Sequence, residues 1–133
     1  MSKLAIITGG SRGIGEAMSM KLGEMGYNVV INYRSNSSKA LTDAIVEKLK
    51  ATYGVDALAV QADVSKYEDC ERLVKAAVEK FGEKIDVLIN NAGAGTLMSP
   101  IHEYDTAEFK RVTDIDYIGV FMAMKYGVQA MLD

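Results

Sequence analysis

The chain has 133 residues, of which 49% are hydrophobic and 25% charged, and its formal net charge is −3. This is the composition and length of one globular domain with its own core, and a net negative charge gives no electrostatic support to nucleic-acid binding. One cysteine and one histidine exclude an internal disulfide and suggest no metal site, and without a leader pattern or a run of ~20 apolar residues we expect a cytoplasmic protein with no membrane contact.

Apolar runs and helical patterns alternate along the chain, which predicts alternating strands and helices. In chain order, the predicted elements are strand Lys3–Thr8, helix Gly13–Met25, strand Asn28–Tyr33, helix Lys39–Thr52, strand Asp56–Gln61, helix Lys66–Phe81, strand Asp86–Asn90 and one long helix Thr106–Leu132. The spacing places Ile14 and Met25 among the inward residues of the first helix, and Leu41 among those of the second. Asp105 and Glu108 suit the start of the last helix, in the manner of a capping box.

The short connections between these elements predict a single domain, 1–133, whose strands are parallel and joined by right-handed crossovers. The fold class is therefore α/β, a doubly wound parallel sheet of about four strands in the order 3-2-1-4, with helices on both faces. In such a sheet, ligands bind at the carboxyl ends of strands one and four, where the strand order reverses. A glycine-rich turn follows strand one, and the sequence Asn-Asn-Ala-Gly, Asn90–Gly93, follows strand four.

The glycine-rich turn lies within Ile6–Glu16, IITGGSRGIGE. Gly9 and the glycine after it allow a tight reversal of the chain, Gly13 allows close approach of a ligand, and Gly15 allows the helix to pack near the strand. The start of that helix presents unpaired N–H groups and a partial positive charge to an anion. The turn therefore predicts a phosphate site, and the alternative is a tight turn without a ligand. No Lys-Ser/Thr pair follows the glycines, which excludes a Walker-type loop.

Three motifs together resemble the short-chain dehydrogenase/reductase family, most of all its 3-oxoacyl-carrier-protein reductase branch. They are the glycine turn with its spacing Gly9-x-x-x-Gly13-x-Gly15, the sequence Ala62–Val64 after strand three, and Asn90–Gly93 after strand four. The resemblance covers essentially the whole chain and implies a Rossmann-type fold that binds a nicotinamide dinucleotide. It implies that the pyrophosphate and adenosine ribose are surrounded by Gly9, Ser11, Arg12 and Ile14, the adenine by Asp63 and Val64, and the rest of the cofactor by Asn90, Asn91, Ala92 and Gly93. The alternatives are that Asp63 caps a turn and that the two asparagines tie loops together.

The identity of the cofactor depends on charge at the end of the second strand. An NAD site has an acid there that accepts a hydrogen bond from the ribose 2′-hydroxyl, but no Asp or Glu occurs between Asn28 and Ser38. Arg34 occupies that end instead, and Arg12 lies in the glycine turn. Two guanidinium groups suit a 2′-phosphate, so we predict NADP(H) in preference to NAD. The alternative is that Arg34 only solvates a loop.

The resemblance implies hydride transfer between NADP(H) and a small-molecule carbonyl or alcohol. The family's Ser, Tyr and Lys would follow the last helix and are absent from these 133 residues, and Asp116 stands where the family has a relay asparagine. We therefore assign no catalytic residue and expect the cofactor-binding portion of an oxidoreductase, inactive by itself. The alternative is a truncated, non-catalytic fragment or nucleotide-binding module. Apolar residues of the last helix and the edge of strand four predict a homo-oligomer, while the substrate is not indicated.

Overall fold

The structure, a computed structural model, describes residues 2–82, 84–95 and 98–132. Strands and helices alternate as predicted. They are β1 Leu4–Ile7, α1 Gly13–Glu24, β2 Asn28–Tyr33, α2 Lys39–Tyr53, β3 Ala57–Gln61, α3 Tyr67–Phe81, β4 Val87–Ile89, α4 Thr106–Thr113 and α5 Gly119–Met131. Short 3₁₀ turns occur at Asn36–Ser38 and Ile101–Glu103, and a π-helical turn, Asp114–Ile118, joins α4 to α5.

The four strands form one parallel sheet in the order β3-β2-β1-β4, which confirms the predicted topology. All of β1 is buried because both faces of the sheet are covered. Successive side chains of a strand point to opposite faces, and Ile6 packs in the core under α3 and α5 whereas Ile7 packs in the core under α1 and α2. This doubly covered sheet is the Rossmann-type architecture expected from the sequence.

The inward face of α1 differs from the prediction. Ile14 is 75% exposed and Met25 is 61% exposed. Leu22 is buried and Met18 packs against the same core, as the apolar spacing predicts. The other buried residues of the helix are Gly15, Ser19 and Gly23, so small residues occupy most of the inward stripe and the prediction was wrong for Ile14 and Met25. Leu41 of α2 is likewise 38% exposed, although Leu49 on the same helix is fully buried as expected.

The predicted long final helix is helical throughout, but the π-helical turn divides it into α4 and α5. The Asp105 side chain accepts a hydrogen bond from the Ala107 N–H at 2.9 Å, which confirms Asp105 as the residue that begins the helix. At the other end, the Ile85 N–H donates to the Ala130 carbonyl at 3.1 Å, so α5 returns to the start of β4. No helix in the described part of the chain is long and apolar enough to cross a membrane.

Candidate functional site

A cavity of about 530 Å³ opens at the carboxyl ends of the strands, beside the point where the strand order reverses. The turn after β1, the end of β2, the segment after β3 and the loop after β4 all contribute to its wall. The residues predicted from the sequence that line it are Gly9, Arg12, Arg34, Asp63, Val64, Asn91, Ala92 and Gly93. The fold thus brings the three motifs and the Arg34 position to one place.

The other predicted residues lie outside the described lining of the cavity, and they are Ser11, Gly13, Ile14, Gly15 and Asn90. Ser11 is buried, Ile14 is largely exposed at the start of α1, and Asn90 is half-buried at the end of β4. Gly15 faces inward, where a Cβ would collide with the Gly9 carbonyl oxygen. Contact of these residues with a cofactor stays a prediction, and Gly15 has a packing role that the sequence analysis anticipated.

The glycine turn has the backbone conformation that its composition indicates. Gly9 and Gly13 have φ values of +62° and +53°, a region that residues with a Cβ rarely adopt. Helix α1 then begins, and the Glu16 N–H donates to the Arg12 carbonyl at 3.2 Å. The N–H groups of residues 13–15, in the first turn of α1, have no acceptor within the helix, because the carbonyl that each would bind lies before the helix begins. Among the described residues, no atom would lie within 4 Å of a Cβ on Gly13, so the backbone is open to a ligand there.

Hydrogen bonds hold the loop after β4, residues 91–95, against the glycine turn. The Thr8 hydroxyl oxygen accepts from the N–H groups of Asn91 and Ala92 at 3.0 and 2.9 Å. The Asn91 side chain donates to the Gly9 carbonyl at 2.9 Å. Asn91 therefore ties two loops together, the structural role considered for it above, and it lines the cavity as well.

Asp63 lies in the wall of the cavity and also organises the segment after β3. Its carboxylate accepts from the Ser65 N–H at 2.9 Å and from the Ser65 hydroxyl at 2.6 Å. Partial burial acts to raise the pKa of Asp63, but these two hydrogen bonds and the nearby charge of Arg34 outweigh it, and the pKa lies below its usual value. Asp63 is thus an ionised turn cap that faces the cavity.

Two residues of the last helical segment, Arg111 and Ile115, complete the cavity wall, and the sequence analysis did not assign them to it. Arg111 lines the wall, where its Nη2 donates to the Gly95 carbonyl at 3.3 Å. The hydrogen bonds that this guanidinium donates to the Glu108 carboxylate raise the pKa of Arg111. In the π-helical turn, Asp116 accepts from the Ala94 N–H at 2.7 Å. Arg111 has no motif that would have indicated it, since its place depends on how α4 packs.

Asn32 is another lining residue that the sequence analysis did not assign. It lies in β2 and is 2% exposed, with its side chain crossing toward both neighbouring strands. A sequence signal did exist, because an amide inside the apolar run of Asn28–Tyr33 must find hydrogen-bond partners once it is buried.

A parallel sheet in the order 3-2-1-4, with a glycine turn and a cavity where the order reverses, defines a Rossmann-type α/β protein. The chain belongs to the short-chain dehydrogenase family, whose sequence model matches residues 3–133. The resemblance inferred from the three motifs is confirmed.

Known proteins of this family are similar along nearly the whole chain. A 3-oxoacyl-[acyl-carrier-protein] reductase, FabG, of Staphylococcus epidermidis is 39% identical over 132 residues, which are 99% of this chain and 52% of that protein. The crystal structure of a blue fluorescent protein from a metagenomic library, in complex with NADPH, has a TM-score of 0.90 and 36% identity, covering 97% of this chain and 51% of the other. An NADH-dependent reductase, A1-R′, responsible for alginate metabolism, has a TM-score of 0.87 with the same identity and coverage. The chain therefore spans about half the length of the relatives it matches.

Proposed function

We propose that the chain is the cofactor-binding portion of an NADP(H)-dependent oxidoreductase that transfers hydride between the nicotinamide and a carbonyl or alcohol. The observation that carries this proposal is the cavity at the carboxyl edge of the sheet, bounded by the glycine turn and the loop after β4. The open backbone at Gly13 and the N–H groups at the start of α1 suit the cofactor's phosphates. When bound, the cofactor supplies the hydride, and the residues described here hold and orient it.

The preference for NADP(H) rests on the charges in the cavity wall. Arg12 and Arg34 line the same cavity, and Ser35 and Ser38 lie beside Arg34 in that wall. A phosphate suits this set because guanidinium groups bind it with two parallel hydrogen bonds. The Asp63 carboxylate oxygen that accepts from Ser65 is already engaged. The similar structures include one in complex with NADPH and one described as NADH-dependent. Similarity to them therefore does not decide the cofactor, and the proposal depends on Arg12 and Arg34.

Titration of the purified protein with NADPH and NADH, with and without Arg34→Ala, tests this proposal. Loss of a charge-assisted contact is expected to raise the Kd for NADPH by roughly 10- to 100-fold and to leave that for NADH unchanged. Lys75→Ala is the control, because Lys75 is an exposed cation 3.3 Å from Glu71 and outside the cavity lining. Equal binding of both cofactors, unaffected by Arg34→Ala, would refute the 2′-phosphate argument.

The second candidate is a non-catalytic nucleotide-binding module, and Asp116 favours it. Its carboxylate accepts from the Ala94 N–H, but it cannot donate a hydrogen bond as the amide of the family's relay asparagine does. We expect these 133 residues by themselves to bind NADPH without reducing a ketone. Consumption of NADPH by this chain alone with a small ketone would contradict that expectation, and a mass measurement of the native product would show its natural length.

We also propose that the protein self-associates through the last helix or the edge of β4. Tyr117, Phe121 and Met124 are 75%, 58% and 44% exposed along the π-helical turn and α5. Contiguous apolar surface of this kind marks interaction sites, and β4 is the last strand of the described sheet, where unpaired backbone groups invite a partner. Sedimentation of a clean monomer at high concentration would contradict this proposal. A cytoplasmic location stays a prediction.

A further inference from the structure

Asn32 makes hydrogen bonds to two segments of the cavity wall at once, the glycine turn and the end of β3. Its Oδ1 accepts from the Gly9 N–H at 3.2 Å. Its Nδ2 lies within hydrogen-bond distance of the carbonyls of Ala62 (3.0 Å), Tyr33 (3.2 Å) and Val60 (3.3 Å). The side chain is 2% exposed, so these bonds cannot be exchanged for bonds to water without opening the structure. One buried amide in β2 therefore connects the glycine turn to the end of β3.

The main chain of Asn32 holds the same turn. The Gly10 N–H donates to the Asn32 carbonyl at 3.1 Å, so two successive N–H groups of the turn bind Asn32. From the opposite side, the Asn91 side chain donates to the Gly9 carbonyl at 2.9 Å. Gly9 is thus held through both its N–H and its carbonyl by two asparagines. The N–H groups left to face an anion are those that follow, at the start of α1.

We propose that Asn32 is a positioning residue for the cofactor, which fixes the glycine turn in its binding conformation before any ligand arrives. This inference rests on the proposed function, namely that the turn binds the phosphates of a dinucleotide. A turn with φ at +62° has many alternative conformations when it is not restrained, and a ligand that must order it binds more weakly. Asn32 removes that cost, and its bond to the Ala62 carbonyl fixes the opposite wall at the same time.

Asn28 offers a matched control on the same strand. It is the first residue of β2, at the end of the sheet away from the cavity, and its Oδ1 accepts from the Asp56 N–H at 2.9 Å. Asn28→Ala and Asn32→Ala each remove an asparagine side chain that bonds to a neighbouring strand. Only the second removes a bond to the glycine turn.

The experiment compares the Kd values of both variants and the wild type for NADPH and NADH, at a temperature where circular dichroism shows each protein fully folded. Asn32→Ala is expected to weaken both cofactors alike, by about tenfold, because the turn serves either one. Asn28→Ala is expected to lower the melting temperature and leave both Kd values unchanged. In the cofactor-free protein, hydrogen exchange at the Gly9 amide is expected to be faster in Asn32→Ala only. If Asn32→Ala does not fold, Asn32→Ser takes its place in the same comparison.

Two results would overturn the proposal, and they are distinguishable. If the wild type binds NADPH in preference to NADH and the Asn32 variant binds NADPH equally well, the positioning role is wrong and the proposed function stands. If the wild type binds neither cofactor, the proposed function fails, and the positioning role fails with it.

Discussion

Gly15→Ala places a methyl group where α1 meets the glycine turn. An ideal Cβ on Gly15 would collide with the Gly9 carbonyl oxygen, and it would lie 2.6 Å from the Asn91 Nδ2 and 3.0 Å from the Gly10 Cα. The Gly9 carbonyl is also the acceptor for the Asn91 side chain. Movement that relieves the collision must therefore stretch the hydrogen bond that joins the two loops.

The expected loss of stability follows from three contributions. Insertion of a methyl group into a packed site costs about 1–3 kcal/mol of unfolding free energy, and weakening of the Asn91–Gly9 hydrogen bond costs about 1 kcal/mol more. Alanine is a better helix former than glycine, which offsets about 1 kcal/mol of that loss. The net destabilisation is about 1–3 kcal/mol, which lowers the melting temperature of a chain of this size by roughly 3–12 °C.

Thermal unfolding followed by circular dichroism, together with two-dimensional NMR of the backbone amides, checks this prediction. The amides of Asn91 and Ala92 are expected to shift in Gly15→Ala because their loop moves. Gly13→Ala is the control: it strains a backbone with φ of +53° but meets no described atom within 4 Å, so those amides are expected to stay in place. A Gly15→Ala protein as stable as the wild type, with unshifted amides, would refute the packing argument.

Three further predictions concern the loop after β4, the last helix and the buried thiol. Thr8→Val keeps the side-chain shape but leaves two loop N–H groups without their acceptor. Urea denaturation should therefore show that the free energy of unfolding falls by roughly 2–4 kcal/mol. A decrease below about half a kcal/mol would contradict this prediction. Asp116→Asn keeps an acceptor for the Ala94 N–H and should lower the free energy of unfolding by less than about 1 kcal/mol. Asp116→Ala removes that acceptor and should lower the free energy of unfolding by more. Equal decreases in the two variants would show that this hydrogen bond does not stabilise the fold. Burial raises the pKa of Cys70 to about 11, so iodoacetamide at pH 8 should label the native thiol at least roughly 100-fold more slowly than a free thiol, with urea-unfolded protein as the control.

Local chemistry in the sequence was enough to predict most of the fold. The β2 strand has the predicted limits, Asn28–Tyr33, because its β-branched run is bounded by turn residues. The order of the strands followed from alternation and handedness, which are general properties of parallel sheets. The inward face of α1 could be predicted only in part, since Leu22 is buried as expected but Ile14 and Met25 are exposed. Its buried stripe consists largely of small residues, and only the distance between helix and sheet determines which side of the helix is covered.

The candidate site also contains some residues that could be predicted from the sequence and others that could not. Gly9 and Gly13 could be recognised in the sequence because the positive φ values that they adopt strongly favour glycine. The residue type alone therefore indicates the backbone conformation. Arg111 carries no such signal, and the amide of Asn32 in an apolar strand indicates only that it needs hydrogen-bond partners; the segments that these two residues reach could not be predicted. The sequence by itself determined the elements, their order and the edge of the sheet where we expect a ligand to bind. Only the tertiary structure decided which side chains hold that edge in shape, because hydrogen bonds between residues far apart in the chain exist only after the strands and helices have packed.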